Sequence, residues 1–275
     1  MVASDIADAP LDRLIALAQE KGLRVSAVGA KRIPTGKSPH SVAVSPDGTR
    51  VYTTDFKSGT VSVIDIARAA VVKTIQAVEG PYGLAANPDG RALHVAAPDS
   101  EMLVRIDLVS GIPTHSGFGH APYGVAVSPD GARVYLTLAL EDSVLITDQF
   151  AKPKFAEIHG IAFPTGVAVA PDENLLYSAN YFADTVSIVD IAGEKVIATV
   201  PVSQGPYGVA LSPAGDRLYV AHFPFDSVSV IDTTDRTVTR TIPVADGPRG
   251  VAVSPDGTRL YVTNFFADTV TVIEL

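Results

Sequence analysis

Apolar and polar residues alternate with a period of two along most of this chain. The run Thr269-Val270-Thr271-Val272-Ile273 is the clearest case, and this spacing predicts a strand with one buried face. Such runs come in sets. Residues 250–253 read as a first strand. Pro255-Asp256-Gly257 then supplies turn chemistry, because proline presets φ and glycine accepts a positive φ. Residues 259–263 make a second strand, residues 264–268 a loop, and residues 269–273 a third strand. Fourth strands are visible in other sets, as in residues 237–242.

The sets recur in one register. The turn prolines stand at 46, 88, 129, 171, 213 and 255, at spacings of 42, 41, 42, 42 and 42. Four short strands per repeat of this length predict an all-β fold, a six-bladed β-propeller of four-stranded antiparallel blades. The last unit stops after its third strand. The matching fourth-strand sequence lies near the start of the chain, where residues 31–39 resemble residues 240–248. An N-terminal strand is therefore expected to complete the last blade and close the ring, which removes exposed sheet edges. Residues 24–275 span 252 positions, six times the 42-residue period. The expected organisation is thus a helical extension over residues 1–23 and one propeller domain over residues 24–275. In the extension, Asp8 or Ala9 can cap a short α-helix that Pro10 opens and Gly22 ends. Leu11, Leu14, Ile15 and Ala18 follow helical spacing. This helix is expected to dock on the propeller, with a dimer contact or a channel plug as alternatives.

Composition narrows the function classes. Cysteine is absent, which excludes disulfides and Cys-ligated metal centres. The net charge of −9 speaks against general nucleic-acid binding, which needs Lys and Arg to neutralise phosphate. No apolar run approaches the 18 residues of a bilayer-spanning helix. The first residues carry neither a basic nor an apolar leader segment, so the expected location is cytoplasmic. No phosphate-binding glycine loop and no nucleophile elbow is found.

Residues 261–264 spell Tyr-Val-Thr-Asn, flanked by residues 250–257 and by the strand at 269–273. Over essentially all of residues 24–275 the chain resembles the YVTN family of β-propeller repeat proteins. The resemblance implies the propeller fold. It implies no single function, since such repeats occur in surface-layer-like proteins and in enzymes alike.

Candidate chemistry lies where the repeats differ. The Pro-Asp-Gly hairpins are nearly identical and read as structural. On the opposite face, three aligned positions vary. The residue after the proline that opens strand one is His40, Tyr82, Tyr123, Thr165, Tyr207 or Arg249. The position at the end of strand two holds Asp55, Ala97, Leu138, Asn180, His222 or Asn264. Two residues before the opening proline stand Lys37, Glu79, His120, Ala162, Gln204 and Asp246. By symmetry each set should ring one mouth of the central channel. Tyr82, Tyr123, Tyr207 and Thr165 offer hydrogen bonds, and Arg249 can hold a carboxylate or phosphate. The structural alternative is that the tyrosines close the channel by stacking, with Arg249 paired to Asp246 or Asp268.

His40, His222, Arg249, Asn264 and Asp55 are expected on one side of that mouth. His40 and His222 are the candidate acid/base residues, because histidine titrates near neutral pH. Arg249, Tyr82, Tyr123, Tyr207, Thr165, Asn180, Asn264 and Phe265 are the candidate substrate-binding residues. The chemistry they suggest is that of a lyase, hydrolase or isomerase on an anionic or carbonyl-bearing small molecule. The residues single out no organic cofactor. A divalent metal is a candidate, with His40, Asp55 and His222 as ligands. His94 aligns with Tyr52, Tyr135, Tyr177, Tyr219 and Tyr261 and reads as a packing residue. The loops after strand two add Phe56, Tyr181, Phe182, Phe223, Phe225, Phe265 and Phe266. This aromatic rim of blades four to six supports a second reading, a non-catalytic scaffold for a protein partner.

Overall fold

A computed structural model describes residues 31–117, 120–152, 154–244 and 246–275. The helix expected between Pro10 and Gly22 lies outside the described residues. Within them, six four-stranded antiparallel sheets stand side by side as the blades of a propeller. Blade four shows the plan, with Pro164–Val169, Leu175–Asn180, Thr185–Asp190 and Lys195–Pro201 in spatial order from the centre outward. Blade six takes its first three strands, Pro248–Val253, Arg259–Asn264 and Thr269–Glu274, from the end of the chain. Its fourth, Lys31–Pro34, comes from the start and pairs from Lys31↔Val272 to Pro34↔Thr269. The expected closure is therefore observed.

Residue pattern follows position in the blade. Second and third strands are covered on both faces by neighbouring blades. Thr60–Asp65 is buried except at its two ends, so Val61, Val63 and Ile64 can follow one another closely. Fourth strands lie on the outer rim. Ala70–Gln76 is exposed except at Ile75, and a polar sequence is tolerated there. Each pair of adjacent blades shares one hydrophobic cluster. Ile33, Val42, Val51 and Ile64 meet Ala252, Tyr261 and Val270 in the cluster that joins blade six to blade one. The latch strand thus contributes a buried side chain, Ile33, as well as backbone pairing.

The blades meet closely at the centre. Gly124, Gly166, Gly208 and Gly250 occupy equivalent places in the innermost strands, Gly83 takes that place just before Leu84–Ala86, and Ser41 takes it in blade one. Close approach of backbones, not a special φ, demands these glycines. A Cβ on Gly124 would lie 2.2 Å from the Thr165 carbonyl oxygen, and one on Gly208 2.3 Å from that of Arg249. Threonine hydroxyls fasten the same boundary. Thr137 Oγ1 donates to the Thr165 carbonyl at 2.6 Å and accepts the Gly124 N–H at 2.6 Å. Thr54 and Thr263 repeat this bridge to the carbonyls of Tyr82 and His40. Ala179 cannot, and in its place the Thr165 hydroxyl donates to the Tyr207 carbonyl at 3.0 Å. The channel inside this collar has a volume of about 60 Å³, room for a few waters only.

The Pro-Asp-Gly hairpins line the opposite face and are structural, as their uniformity suggests. Ser45 Oγ donates to Asp47 at 2.6 Å and accepts the Arg50 N–H at 2.9 Å, while Gly48 sits at φ +68°. Blade four has Glu173 where the others have glycine, at φ +57°. Its carboxylate accepts a 2.6 Å hydrogen bond from the Tyr135 hydroxyl of blade three, which fixes the strained position.

His94 fills the tyrosine packing position as expected. It is fully buried, and neither ring nitrogen has a hydrogen-bond partner. Burial, then the nearby Arg105, lowers its pKa from 6.5 to about 4. A depressed histidine pKa means that the unfolded chain binds the proton more tightly. Its stabilising effect is complete above pH 6.5 and is lost as pH falls toward 4, in all about 3 kcal/mol. His94→Tyr restores the residue of the other blades and should flatten the fall in melting temperature between pH 6.5 and 4.5. An unchanged pH profile would show that His94 is not the group responsible.

Candidate functional site

The first variable set does converge on the mouth. His40 is 3% exposed, and its ring lies 4.0 Å from Tyr82 and 5.2 Å from Tyr207, centroid to centroid. The Tyr207 hydroxyl is 3.1 Å from His40 Nε2. Burial, then the charge of Arg249, holds the His40 pKa well below 6.5. The ring is therefore neutral near pH 7, and Nε2 accepts the phenol proton. Burial likewise raises the pKa of Tyr207 and of Tyr82, with Arg249 opposing it in both.

Arg249 is the centre of the arrangement. Its guanidinium carbon lies 3.8 Å from the ring centroid of Phe265, 4.0 Å from that of Phe223 and 5.2 Å from that of Tyr207. These are cation–π distances. The Tyr82 hydroxyl is within reach of the guanidinium head. Arg249 Nε is buried without a hydrogen-bond partner. Neither of its expected carboxylate partners is available. Asp246 pairs with Arg32 at 2.7 Å, and Asp268 with Lys37 at 2.7 Å. Burial lowers the Arg249 pKa, and the surrounding tyrosines oppose the shift.

Around this head the aromatic rings form a closed circuit. It runs Tyr82, Tyr123, Phe163, Phe182, Tyr181, Tyr207, Phe223, Phe265, His40 and back to Tyr82, each ring within 6.4 Å of the next. The tyrosines meet their neighbours edge-to-face around the mouth rather than stacked, while Arg249 has no acidic partner among the described residues. Phe163 is a member that the repeat comparison passes over. It precedes Pro164 with φ +44° and supplies a ring in the one blade of the four to six group that opens strand one with threonine.

The second variable set does not reach the mouth. Its four polar side chains turn into their own blades and tie strand two to strand three. Asn264 Nδ2 donates to the hydroxyls of Thr269 and Thr271 at 2.9 and 2.7 Å. Asn180 does the same with Thr185 and Ser187. Asp55 accepts from Thr60 and Ser62, at 3.1 and 2.6 Å. Burial raises its pKa, with the Ser62 bond leading the opposing effects. His222 is fully buried, with Nδ1 3.1 Å from the Gln204 carbonyl and Nε2 2.7 Å from Ser229 Oγ. Nδ1 thus carries the proton, and Nε2 accepts from the serine. Burial lowers the His222 pKa despite the Gln204 bond. Thr165 is also engaged with backbone. His40, Arg249, Tyr82, Tyr123, Tyr207 and Phe265 of the expected site stand together, and Thr165 lines the channel beside His40, Tyr123, Tyr207 and Arg249.

Among the described residues no three His, Asp or Glu side chains gather as metal ligands. His40, Asp55 and His222 in particular do not assemble into the metal set that the sequence suggests, because Asp55 and His222 point into separate blades. A further device went unseen in the sequence. Aspartates in the loops between strands two and three clip the segment leading into the next blade. Asp142, Asp184, Asp226 and Asp268 accept backbone N–H groups of Phe163, Gly205, Gly247 and Ser38, at 2.7 to 3.0 Å.

The sequence profile of the YNCE-like beta-propeller family matches residues 19–275. The chain belongs to that family. The expected kinship with a β-propeller repeat family holds at this level, without a specific match to YVTN proteins. No curated protein matches the chain in sequence. A solved chain of Kuenenia stuttgartiensis hydrazine synthase shares the fold with a TM-score of 0.70 at 19% identity, covering 88% of this chain and 97% of that one. Similar folds are found in 1731 solved chains, and likeness at this identity speaks for architecture alone.

Proposed function

We propose that this propeller binds a small anionic molecule at the mouth, with Arg249 as the anchor. Tyr82, Tyr123 and Tyr207 line the site, Phe265 flanks the anchor, and His40 lies beneath. One observation carries the reading: Arg249 is a largely buried cation without an acidic partner among the described residues. Removing a charge from water is expensive unless an opposite charge meets it. A ligand carboxylate is the missing partner that best matches a guanidinium edge. Binding is favoured over acid/base catalysis by the state of the two candidate proton carriers. Burial lowers the pKa of both His40 and His222 and weakens them as bases, and efficient proton transfer needs a pKa near the working pH.

The test is calorimetric titration of the full chain with a panel of small carboxylates. Saturable binding with Kd on the order of 1 mM or tighter is expected for so small a ligand. No heat of binding from any member, up to concentrations of roughly 20 mM, would overturn the reading. The second reading, a protein-docking surface, draws on the exposed rings of Phe182, Phe225 and Phe266. It gains ground only if the panel fails.

A further inference from the structure

We infer that the mouth selects monocarboxylates carried on an apolar, preferably aromatic, body, with the carboxylate pointing down to Arg249 and the body outward. This rests on the anion-binding reading and adds a ligand class and an orientation to it.

Three observations carry it. First, the apolar surface is continuous from the anchor to solvent. Phe223 and Phe265 lie against the guanidinium, and Phe266 lies 5.5 and 5.4 Å from them. Phe266 is 65% exposed. Its exposed face adjoins a cation that has no acidic partner among the described residues, and so extends the apolar wall of the anchor toward solvent. Across the mouth Phe182, 73% exposed, rests 4.6 Å from Phe163 and 5.0 Å from Tyr181. Second, the channel below the ring has only about 60 Å³, whereas pockets for whole metabolites run to several hundred. The body of a ligand therefore has no room beneath Arg249 and must lie over the rim. Third, the loops around the mouth carry the clip aspartates Asp142, Asp184 and Asp226, beside Asp268, whose charge Lys37 already meets. Against one central cation, that arrangement disfavours ligands with several negative charges. A flat ring bearing one carboxylate satisfies all three conditions, since it can meet the phenylalanine faces edge-on or offset.

The experiment compares acetate, benzoate, 3-phenylpropionate, benzyl alcohol and inorganic phosphate by calorimetry, using the full chain and Phe266→Ser. Phe266 is exposed, so its replacement leaves the core intact. Benzoate and 3-phenylpropionate should bind about tenfold tighter than acetate, since roughly two buried methylenes' worth of apolar surface gives that ratio. Benzyl alcohol and phosphate should bind more weakly than benzoate. Phe266→Ser should remove most of the aromatic advantage while leaving acetate unchanged. Equal binding of acetate and benzoate overturns the ligand class but leaves Arg249 as an anion anchor. Tighter binding of phosphate, or an aromatic advantage that survives Phe266→Ser, overturns it as well. If no carboxylate binds, the anion-binding reading falls and the ligand class falls with it.

Discussion

Arg249→Met should abolish carboxylate binding while leaving the melting temperature unchanged or raising it by a few degrees. Two opposed effects decide the sign for stability. The cation–π contacts with Phe223 and Phe265 are each worth about 1 kcal/mol, toward 2 where water is excluded. Against them stands the burial of a charge with no acidic partner, an effective penalty of several kcal/mol. The lowered pKa of Arg249 indicates that burial outweighs the favourable surroundings. Methionine keeps an unbranched apolar stem against the two rings and carries no charge. The net change is therefore about zero to 1 kcal/mol in favour of the variant, roughly 2–4 °C or less in a chain of this size. For binding, truncating one partner of a buried charge pair costs about 2–5 kcal/mol, so a millimolar ligand drops out of range. A variant that melts several degrees lower, with carboxylate affinity intact, would identify Arg249 as a structural cation held by its aromatic neighbours.

Gly124→Ala should be the most damaging single-methyl addition among the five central glycines. Its Cβ would lie 2.2 Å from the Thr165 carbonyl oxygen and 2.9 Å from Thr137 Oγ1. Both atoms belong to the bridge between blades three and four, so relief requires moving a backbone strand or breaking the Thr137 hydrogen bonds. Overpacking of this kind costs about 3 kcal/mol, near the upper end of the usual range. Urea unfolding should show a lower midpoint at unchanged slope. Gly117→Ala is the matched control. Nothing lies within 4 Å of its Cβ, and a glycine-to-alanine change at an unstrained site is neutral or mildly stabilising. If the two variants unfold together, the central glycines are not there for close approach.

Much of the architecture was readable because it repeats. Prolines in one frame gave the blade count, and the match between residues 31–39 and 240–248 located the latch that pairs Lys31 with Val272. The site was readable only in part. Arg249, His40 and the tyrosines directly follow the proline at the entrance to the innermost strands, where geometry directs them to the axis. Asn264, Asn180, Asp55 and His222 vary just as much, yet they face inward between strands. The signal that separates the two sets is present in the chain. Each of these four is followed seven residues on by a hydroxyl, in Thr271, Ser187, Ser62 and Ser229, a diagonal neighbour on the next strand two residues beyond the one directly opposite. The vacancy around Arg249 was not legible, because whether Asp246 and Asp268 are engaged depends on Arg32 and Lys37, more than 200 residues away.

The aromatic circuit also gives the molecule a built-in optical probe. Tryptophan is absent, so nine tyrosines carry all of the intrinsic emission. Tyr82, Tyr123, Tyr181 and Tyr207 stand at the mouth, while the other five are buried where blade packs on blade. Excitation energy and quenching at the first group respond to whatever sits above Arg249. The second group reports only whether the ring is whole. Occupancy and integrity are thus written into one fluorescence spectrum, with no label attached.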